Sequence, residues 1–295
     1  MMLAAGSTAG VFGSLLGLGG GTLIVPLLTL GFGLDVRVAV GVSLVSVIVT
    51  SGASAGVYLQ RNTANLRLGM VLELFTAMGA VVGGAIAFLL DERTLEGLFA
   101  GLLVYASLSM LQRARRDTSD ASAATDALAA TAELSAPDPT PAQDDEPVRG
   151  AVEGGSTASA SPYERLSGPG YHIRNLRAGA VGSVFAGIVS ALTGIGGGTV
   201  KVPVMHLVMG VPLRVSTATS NLMMGITAST SSIVYLLRGG IDPYVAGPTV
   251  VGVFIGASIG SRVAHRIHVR VIRFLFVVVL LYTAFEMARR ALGVA

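Results

Sequence analysis

Two short stretches of the chain combine residue types that could hold an anion in an apolar environment. They read GLGGGTLIVP at 17–26 and GIGGGTVKVP at 194–203. Three consecutive glycines predict a break in a helix, because each glycine costs about 1 kcal/mol relative to alanine inside a helix. The helical piece that starts after such a break has unpaired N–H groups and about half a positive charge at its N-terminus. Each stretch is therefore interpreted as an anion site.

Residues next to the glycines are assigned to the same site. Thr22 and Thr199 follow the glycines directly and are good N-caps. A proline comes four residues later, near the start of the new helix, where a missing N–H costs least. For a single such stretch close helix packing would be the preferred explanation, but its occurrence twice favours a binding site. The candidate substrate-binding residues here are Gly19, Gly20, Gly21, Thr22, Pro26, Gly196, Gly197, Gly198, Thr199 and Pro203.

Lys201 is the only lysine in the chain and follows the second glycine triplet by three residues. A cation at a helix N-terminus opposes the helix dipole, and a charge inside a membrane is costly, so an anionic partner is expected. The partner is the substrate in the interpretation that we favour; a structural pair with Glu73 or Glu286, or an amine that reaches the interface, is the alternative. Glu73 and His206 are candidates for carrying a coupled proton, although Glu73 lies close to Arg67 in the sequence and could be interfacial.

Hydroxyl and amide side chains in the apolar segments that follow each break supply further candidates. Ser43 and Ser220 occupy matching positions in the two parts of the chain, and Thr219 and Asn221 flank Ser220. These four side chains are expected to donate hydrogen bonds to the substrate. The alternative is that such hydroxyls bond their own helix or a neighbouring one.

The composition indicates that most of the chain lies in lipid. The 295 residues are 52% hydrophobic and 13% charged, about half the charge density of an ordinary soluble domain. No cysteine is present, which excludes disulfides and thiolate metal sites, and four histidines without an HExxH motif exclude a zinc protease. The few arginines near apolar segments do not form a basic face for nucleic acid. No cofactor or metal is expected.

Nearly uncharged runs predict eight hydrophobic segments when they are counted against the roughly 20 residues that cross a bilayer. They are 1–34, 38–60, 68–90, 97–112, 178–213, 215–237, 243–261 and 270–288. The first run would be about 51 Å long as one straight helix, so it must be broken, tilted or folded back. The predicted fold class is an all-α integral membrane protein with broken or re-entrant helices at the glycine motifs.

An internal repeat divides the chain. At an offset of 177 residues, without gaps, the two glycine stretches and many later residues fall in register. This predicts two homologous membrane halves, residues 1–112 and 174–295. The linker between them, 113–173, is acidic and rich in Ala, Ser and Pro. Because this composition cannot bury enough apolar surface to offset its ordering entropy, we interpret the linker as a disordered tether.

Charge gives the only indication of how the halves are oriented. The loop DERTLE at 91–96 is acidic. Its equivalent in the second half holds four arginines and no acid: Arg262, Arg266, Arg270 and Arg273. Since positive loops favour the cytoplasm, loops of opposite sign suggest opposite sides, and therefore inverted repeats in which each glycine segment is a re-entrant hairpin. The linker is then cytoplasmic. Two parallel halves of four spans each are the alternative.

With its doubled motif, GLGGGTLIVPLL and GIGGGTVKVPVM, its eight apolar segments and its central polar linker, the chain resembles the TauE/SafE sulfite exporter family. The resemblance covers both halves and leaves out the linker. It implies a multi-pass permease of the cell membrane for a small anion such as sulfite, a sulfonate or a related organic anion. The expected mechanism is alternating access around the two breaks, with a proton or sodium ion as the coupling partner. It predicts neither the direction of transport nor the oligomeric state.

Other classes fit the residues less well. An intramembrane enzyme acting on lipid or isoprenoid substrates would need a converging acid and base or a metal set, and the apolar segments hold few such residues. A cation or metal transporter would need paired acids at mid-depth. The pattern G-x-S-x-G at 256–260 is aligned with GAVVG at 79–83, so what the halves share is G-x-x-x-G, a packing motif of small residues. The chain is therefore not interpreted as an enzyme.

Overall fold

The computed structural model describes residues 1–16, 21–60, 64–111, 171, 173–263 and 269–293, and within these residues it is helical with no β-strand. The helices are α1 Met2–Leu16, α2 Gly21–Phe32, α3 Val36–Gln60, α4 Leu66–Ala87, α5 Glu92–Leu111, α6 Leu176–Thr193, α7 Gly198–Pro203, α8 Leu213–Leu237, α9 Pro243–Val263 and α10 Val269–Ala291. A π-helical turn, Val204–Val208, follows α7 directly. The predicted all-α fold class is confirmed.

Apolar helices overlap each of the eight predicted segments. Among the described residues, four helical stretches are long and apolar enough to cross a membrane: Leu66–Ala87, Glu92–Leu111, Leu176–Thr193 and Pro243–Gly260. The apolar helices of α1, α2 and α3 contribute shorter stretches. The number of helices that cross the bilayer stays a prediction.

The acidic stretch 91–96 is not the loop that the sequence analysis assumed. Helix α5 begins at Glu92, and the N–H of Leu95 donates to the carbonyl oxygen of Asp91 over 3.0 Å. Acidic residues in a first helical turn are favoured by the helix dipole. The charges of DERTLE therefore belong to the start of a helix.

Helix boundaries in the two halves coincide at the offset found in the sequence. Helix α3 and helix α8 each have 25 residues, and a shift of 177 residues places Val36–Gln60 on Leu213–Leu237. The same shift aligns the ends of α1 and α6 and the starts of α2 and α7. The division into halves at 1–112 and 174–295 stays a prediction. Nearly all of the linker 113–173 lies outside the described residues.

Close glycine contacts join helices of different halves. A Cβ at Gly79 or Gly83 of α4 would collide with backbone atoms of Val184 or Ile188 in α6, so only glycine permits this approach. Gly256 of α9 lies equally close to the backbone of α1. The prediction that the shared G-x-x-x-G pattern is a packing motif is confirmed by these contacts. Because Val184 and Ile188 are one turn apart, as the two glycines are, α4 and α6 run parallel.

Helix α3 and helix α8 pack against each other in opposite directions. Gly41, near the start of α3, lies against the carbonyl oxygen of Gly240, just after α8. Ser51, further along α3, donates a hydrogen bond of 2.7 Å to the carbonyl oxygen of Asn221, in the first half of α8. Antiparallel packing of equivalent helices is what an inverted pair of repeats predicts. The orientation of the halves in the bilayer stays a prediction.

The second glycine stretch forms a hairpin. Helix α6 ends at Thr193 and α7 begins at Gly198, so the predicted break is confirmed here. The N–H of Arg174, just before α6, donates to the carbonyl oxygen of Met209, just after the π-helical turn, over 3.0 Å. The chain therefore returns to the side from which it entered.

Candidate functional site

Backbone geometry at the second break depends on its glycines. Gly194, Gly196 and Gly197 have φ angles of 70°, 84° and 73°, in the left-handed region that side chains disfavour. Gly197 is the N-cap of α7, with no side-chain hydrogen bond to the cap. The prediction that Thr199 caps this helix is wrong, because glycine adopts the capping conformation one residue earlier at no steric cost.

The first break is described on one side only. Gly17, Gly19 and Gly20 lie outside the described residues. Helix α2 begins at Gly21, which places Thr22 inside the helix as its second residue rather than at the predicted N-cap. Thr22 is fully buried.

Ser43 of α3 joins the two breaks. Its Oγ lies 2.8 Å from the carbonyl oxygen of Gly194 and 3.3 Å from that of Gly21, and it can donate to either. Gly21 itself packs against the carbonyl oxygen of Gly194. The structure therefore brings the two breaks into contact, and the hydroxyl that the sequence assigned to the substrate is bonded to both.

Four hydroxyl groups around the breaks are buried without a partner. Among the residues that the structure describes, the hydroxyl oxygens of Thr22, Ser190, Thr199 and Ser220 accept and donate no hydrogen bond. Ser220 lies beside Gly198, and Ser190 lies beside Gly197. Since buried polar groups are nearly always paired, four unpaired hydroxyls at one place mark a position where a ligand would complete them.

Ser190 was missed by the sequence analysis. Its equivalent in the first half is Gly13, so the repeat gives no matching hydroxyl. Its burial against the break depends on how α6 packs, which the sequence does not show. A serine one turn before a glycine break is the signal that could have found it.

Thr219 and Asn221 are tied to other parts of the protein. The Oγ1 of Thr219 accepts a hydrogen bond of 2.9 Å from the N–H of Asn65, the N-cap of α4. The backbone carbonyl of Asn221 accepts from Ser51. In this conformation Thr219 fixes the start of α4 and does not point to the breaks.

Lys201 and Glu73 form a buried ion pair between the two halves. The Nζ of Lys201 lies 2.6 Å from Oε2 of Glu73. Thr227 of α8 donates to Oε1 of the same carboxylate over 2.5 Å. Lys201 is 1% exposed and Glu73 is 4% exposed. Of the partners that the sequence analysis left open for Lys201, the structure shows Glu73, which is buried in the protein rather than interfacial.

The second hairpin ends in irregular structure after Pro203. Proline cannot donate a backbone hydrogen bond, and the chain continues as the π-helical turn. His206, within this turn, has its Nδ1 2.9 Å from the carbonyl oxygen of Val211. Among the contacts of the described residues, His206 is therefore linked to Val211 and not to Glu73. Pro26 lies in the regular helix α2, which continues to Phe32.

A cavity of about 470 Å³ lies on the outer side of the second hairpin, between α5 and α6. Leu192, Thr193 and Val200 line its inner end, and Gly97 and Gly101 line its outer wall. Its walls are apolar apart from Thr193 and Tyr105. Because charged and amide groups are absent from this lining, we do not assign the cavity to an anion.

These features define a helical membrane protein in which two helix breaks meet beside a buried charge pair, which is how membrane transporters are built. The chain belongs to the sulfite exporter TauE/SafE family, whose profile matches residues 2–287. The family resemblance proposed from the sequence is confirmed. The chain is a membrane transporter.

Curated relatives agree with this class. The chain is 24% identical over 288 residues to "Probable membrane transporter protein YunE" of Bacillus subtilis, covering 95% of this chain and 94% of that protein. It is 21% identical over 253 residues to "Probable membrane transporter protein YdhB" of the same organism, covering 86% and 85%. It is 26% identical over 295 residues to "Probable membrane transporter protein MamO" of Magnetospirillum gryphiswaldense, covering 95% of this chain and 43% of that protein. No solved structure matches the chain.

Proposed function

We propose that this transporter moves a small anion across the cell membrane, namely sulfite, a sulfonate or a related sulfur-containing or organic anion. The observation that carries the proposal is the contact between the two breaks, with four buried and unpaired hydroxyl groups around it. Hydroxyl groups donate hydrogen bonds to sulfonyl or carboxyl oxygens. An anion bound between the breaks would therefore complete groups that the protein leaves unpaired.

The helix ends support a negative ligand. Helix α2 starts at the junction of the breaks, with Gly21 against Gly194. Its first N–H groups have no acceptor within the helix, and its dipole places positive charge at this end. Lys201 adds the only lysine of the chain near the same junction. The glycines outside the described residues, Gly19 and Gly20, are included in the site from the sequence.

The packing suggests which parts move. Helix α6 is held tightly to α4, and α1 to α9, by contacts that only glycine allows. Each hairpin is thus attached to a helix of the other half. We propose that these two units rock about the antiparallel pair of α3 and α8, and that the site between the breaks opens to one side at a time. The linker is placed on the cytoplasmic side.

A ligand screen followed by a transport assay tests the proposal. Purified protein is melted with sulfite, sulfate, thiosulfate, sulfoacetate, taurine or simple carboxylates, at constant sodium concentration. A substrate at 100 times its Kd should stabilise the fold by about 2.7 kcal/mol and raise Tm accordingly. The stabilising anion should then enter proteoliposomes that contain the protein and not empty ones. Stabilisation by cations alone would contradict the proposal.

Matched serine variants locate the site. Ser220 and Ser232 are both buried on α8 with unpaired hydroxyls, but only Ser220 lies beside the second break. Ser220→Ala should weaken the Kd of the stabilising anion, whereas Ser232→Ala should not change it. Equal effects of the two substitutions would remove the breaks from the site.

A further inference from the structure

The buried ion pair poses a problem for an anion transporter. Lys201 is the charge best placed to attract an anion, yet its Nζ is bonded to Oε2 of Glu73 at 2.6 Å. Both side chains are almost fully buried. As long as Glu73 is ionised, the pair is neutral overall and Lys201 has no free charge to offer. Binding of an anion to Lys201 therefore requires a change at Glu73.

The fold does not require this pair. Positions 177 residues away, which are equivalent in the repeat, hold Ile24 in place of Lys201 and Val250 in place of Glu73. Ile24 is fully buried. The same helix arrangement is thus built once with a buried ion pair and once with aliphatic residues. Because a buried ion pair is often no more stabilising than apolar side chains of similar volume, its presence in one copy calls for a functional reason.

We propose, on the basis of the anion transport proposed above, that Glu73 is a proton site coupled to the anion site. An anion that binds Lys201 displaces the Glu73 carboxylate, and Oε2 of Glu73 takes up a proton from the same side of the membrane. The contact between Lys201 and Glu73 is broken, and no covalent bond other than the new O–H is formed. Each monovalent anion is then carried together with one proton.

The local contacts suit this exchange. The two oxygens of Glu73 have different partners, because Oε2 faces Lys201 and Oε1 accepts from Thr227. When Lys201 turns to the anion, Oε2 becomes the free oxygen that binds the proton, while Thr227 holds the carboxyl group in place. The empty pair and the site loaded with anion and proton have the same net charge of zero. Neither form moves net charge through the apolar interior, where an unpaired charge is expensive.

No other acid competes for the proton. Glu73 is the only Asp or Glu in the sequences of α4, α6, α7 and α8, the helices that surround the pair. The other ionisable groups on these elements are Arg67, Arg177 and Arg214, each the second residue of its helix, Arg238 just after α8, His206, and Tyr235, which donates to the carbonyl oxygen of Ala191. The arginines keep their charge over the physiological range. His206 is engaged with Val211.

Calorimetric titration in buffers of different ionisation enthalpy tests the proposal, since it counts the protons taken up per anion bound. The probes are sulfate, thiosulfate and sulfoacetate, which are fully ionised near neutral pH, so any proton taken up belongs to the protein. Wild-type protein should take up one proton per anion, and its Kd should weaken about tenfold for each unit of rising pH. Glu73→Gln should bind the anion with no proton uptake and a Kd independent of pH.

Glu286→Gln is the matched control. Glu286 is another acid on an apolar helix, and its contact is with Arg289, so this variant should still take up one proton. Anion binding by the wild-type protein without proton uptake would overturn the coupling and leave the transport proposal intact. Absence of binding by all three anions would instead remove the anion site on which the coupling rests. If Glu73→Gln does not fold, the comparison of wild type with Glu286→Gln still decides.

Discussion

The two hairpins of this transporter share a framework and differ in their chemistry. Both have a helix break at the same offset, and both place a buried threonine hydroxyl without a partner just after it, at Thr22 and Thr199. Only the second hairpin has a buried charge, Lys201, where the first has Ile24. Only the second has a serine beside its break, Ser190, and ends in a π-helical turn.

This difference separates what the fold needs from what the site needs. Features present in both copies, such as the breaks and the glycine contacts between helices, build the scaffold. Features present once have no structural counterpart to justify them. Thr50, the equivalent of Thr227, bonds carbonyls of its own helix, whereas Thr227 also donates to Glu73. We infer that the second hairpin selects the ligand and the first supports it.

Loss of Lys201 should have the largest effect. Lys201→Gln removes the only charge at the junction that could attract an anion, so we expect anion flux into proteoliposomes to fall to the level of empty vesicles. The purified variant should elute as a single species on size exclusion, which separates loss of function from loss of fold. Ile24→Met, the conservative change at the equivalent apolar position, is the control and should retain flux. Undiminished flux in Lys201→Gln would place the chemistry elsewhere.

The ion pair itself should be dispensable for folding, provided that both charges are removed together. Lys201→Ile alone leaves Glu73 buried without its partner and should lower the free energy of unfolding by about 3–5 kcal/mol. The double variant Lys201→Ile, Glu73→Val copies the equivalent residues of the first half and should regain most of this loss. Thermal melts of the three proteins in detergent measure the difference. If the double variant is as unstable as the single one, the two halves differ in scaffold as well as in chemistry.

Sequence alone predicted the breaks, because three glycines in an apolar run conflict with a helix whatever the tertiary structure. It also predicted that Lys201 needs an anionic partner. The identity of that partner could not be predicted, since Glu73 is 128 residues away and reaches Lys201 only through the packing of α4 on helices of the other half. The N-caps were predicted wrongly at Thr22 and Thr199 because capping preferences favour threonine, while a glycine was already available one or two residues earlier.

The glycine contacts should behave alike in both copies. Gly79→Ala and Gly256→Ala each place a Cβ against the backbone of a neighbouring helix, and overpacking of this kind costs about 1–3 kcal/mol. Gly101→Ala, in α5, is the control, because the space beside Gly101 is open and alanine favours the helix. Thermal melts should show two similar losses and no loss in the control. Very different losses for Gly79 and Gly256 would show that the scaffold is not symmetric.

Ser190 should give the smallest effect and the finest test of the comparison. Ser190→Ala removes one of the unpaired hydroxyls at the second break; if the anion accepts a hydrogen bond from it, the loss of about 0.5–1.5 kcal/mol weakens the Kd about 2–10-fold. Ser183→Ala removes another buried, unpaired hydroxyl two turns earlier on the same helix and should leave the Kd unchanged. Calorimetric titration with the stabilising anion measures both. Because the first half has Gly13 at the position of Ser190, a weakened Kd would assign to the second hairpin a ligand contact that the first cannot make, whereas no change would reduce the difference between the hairpins to Lys201 alone.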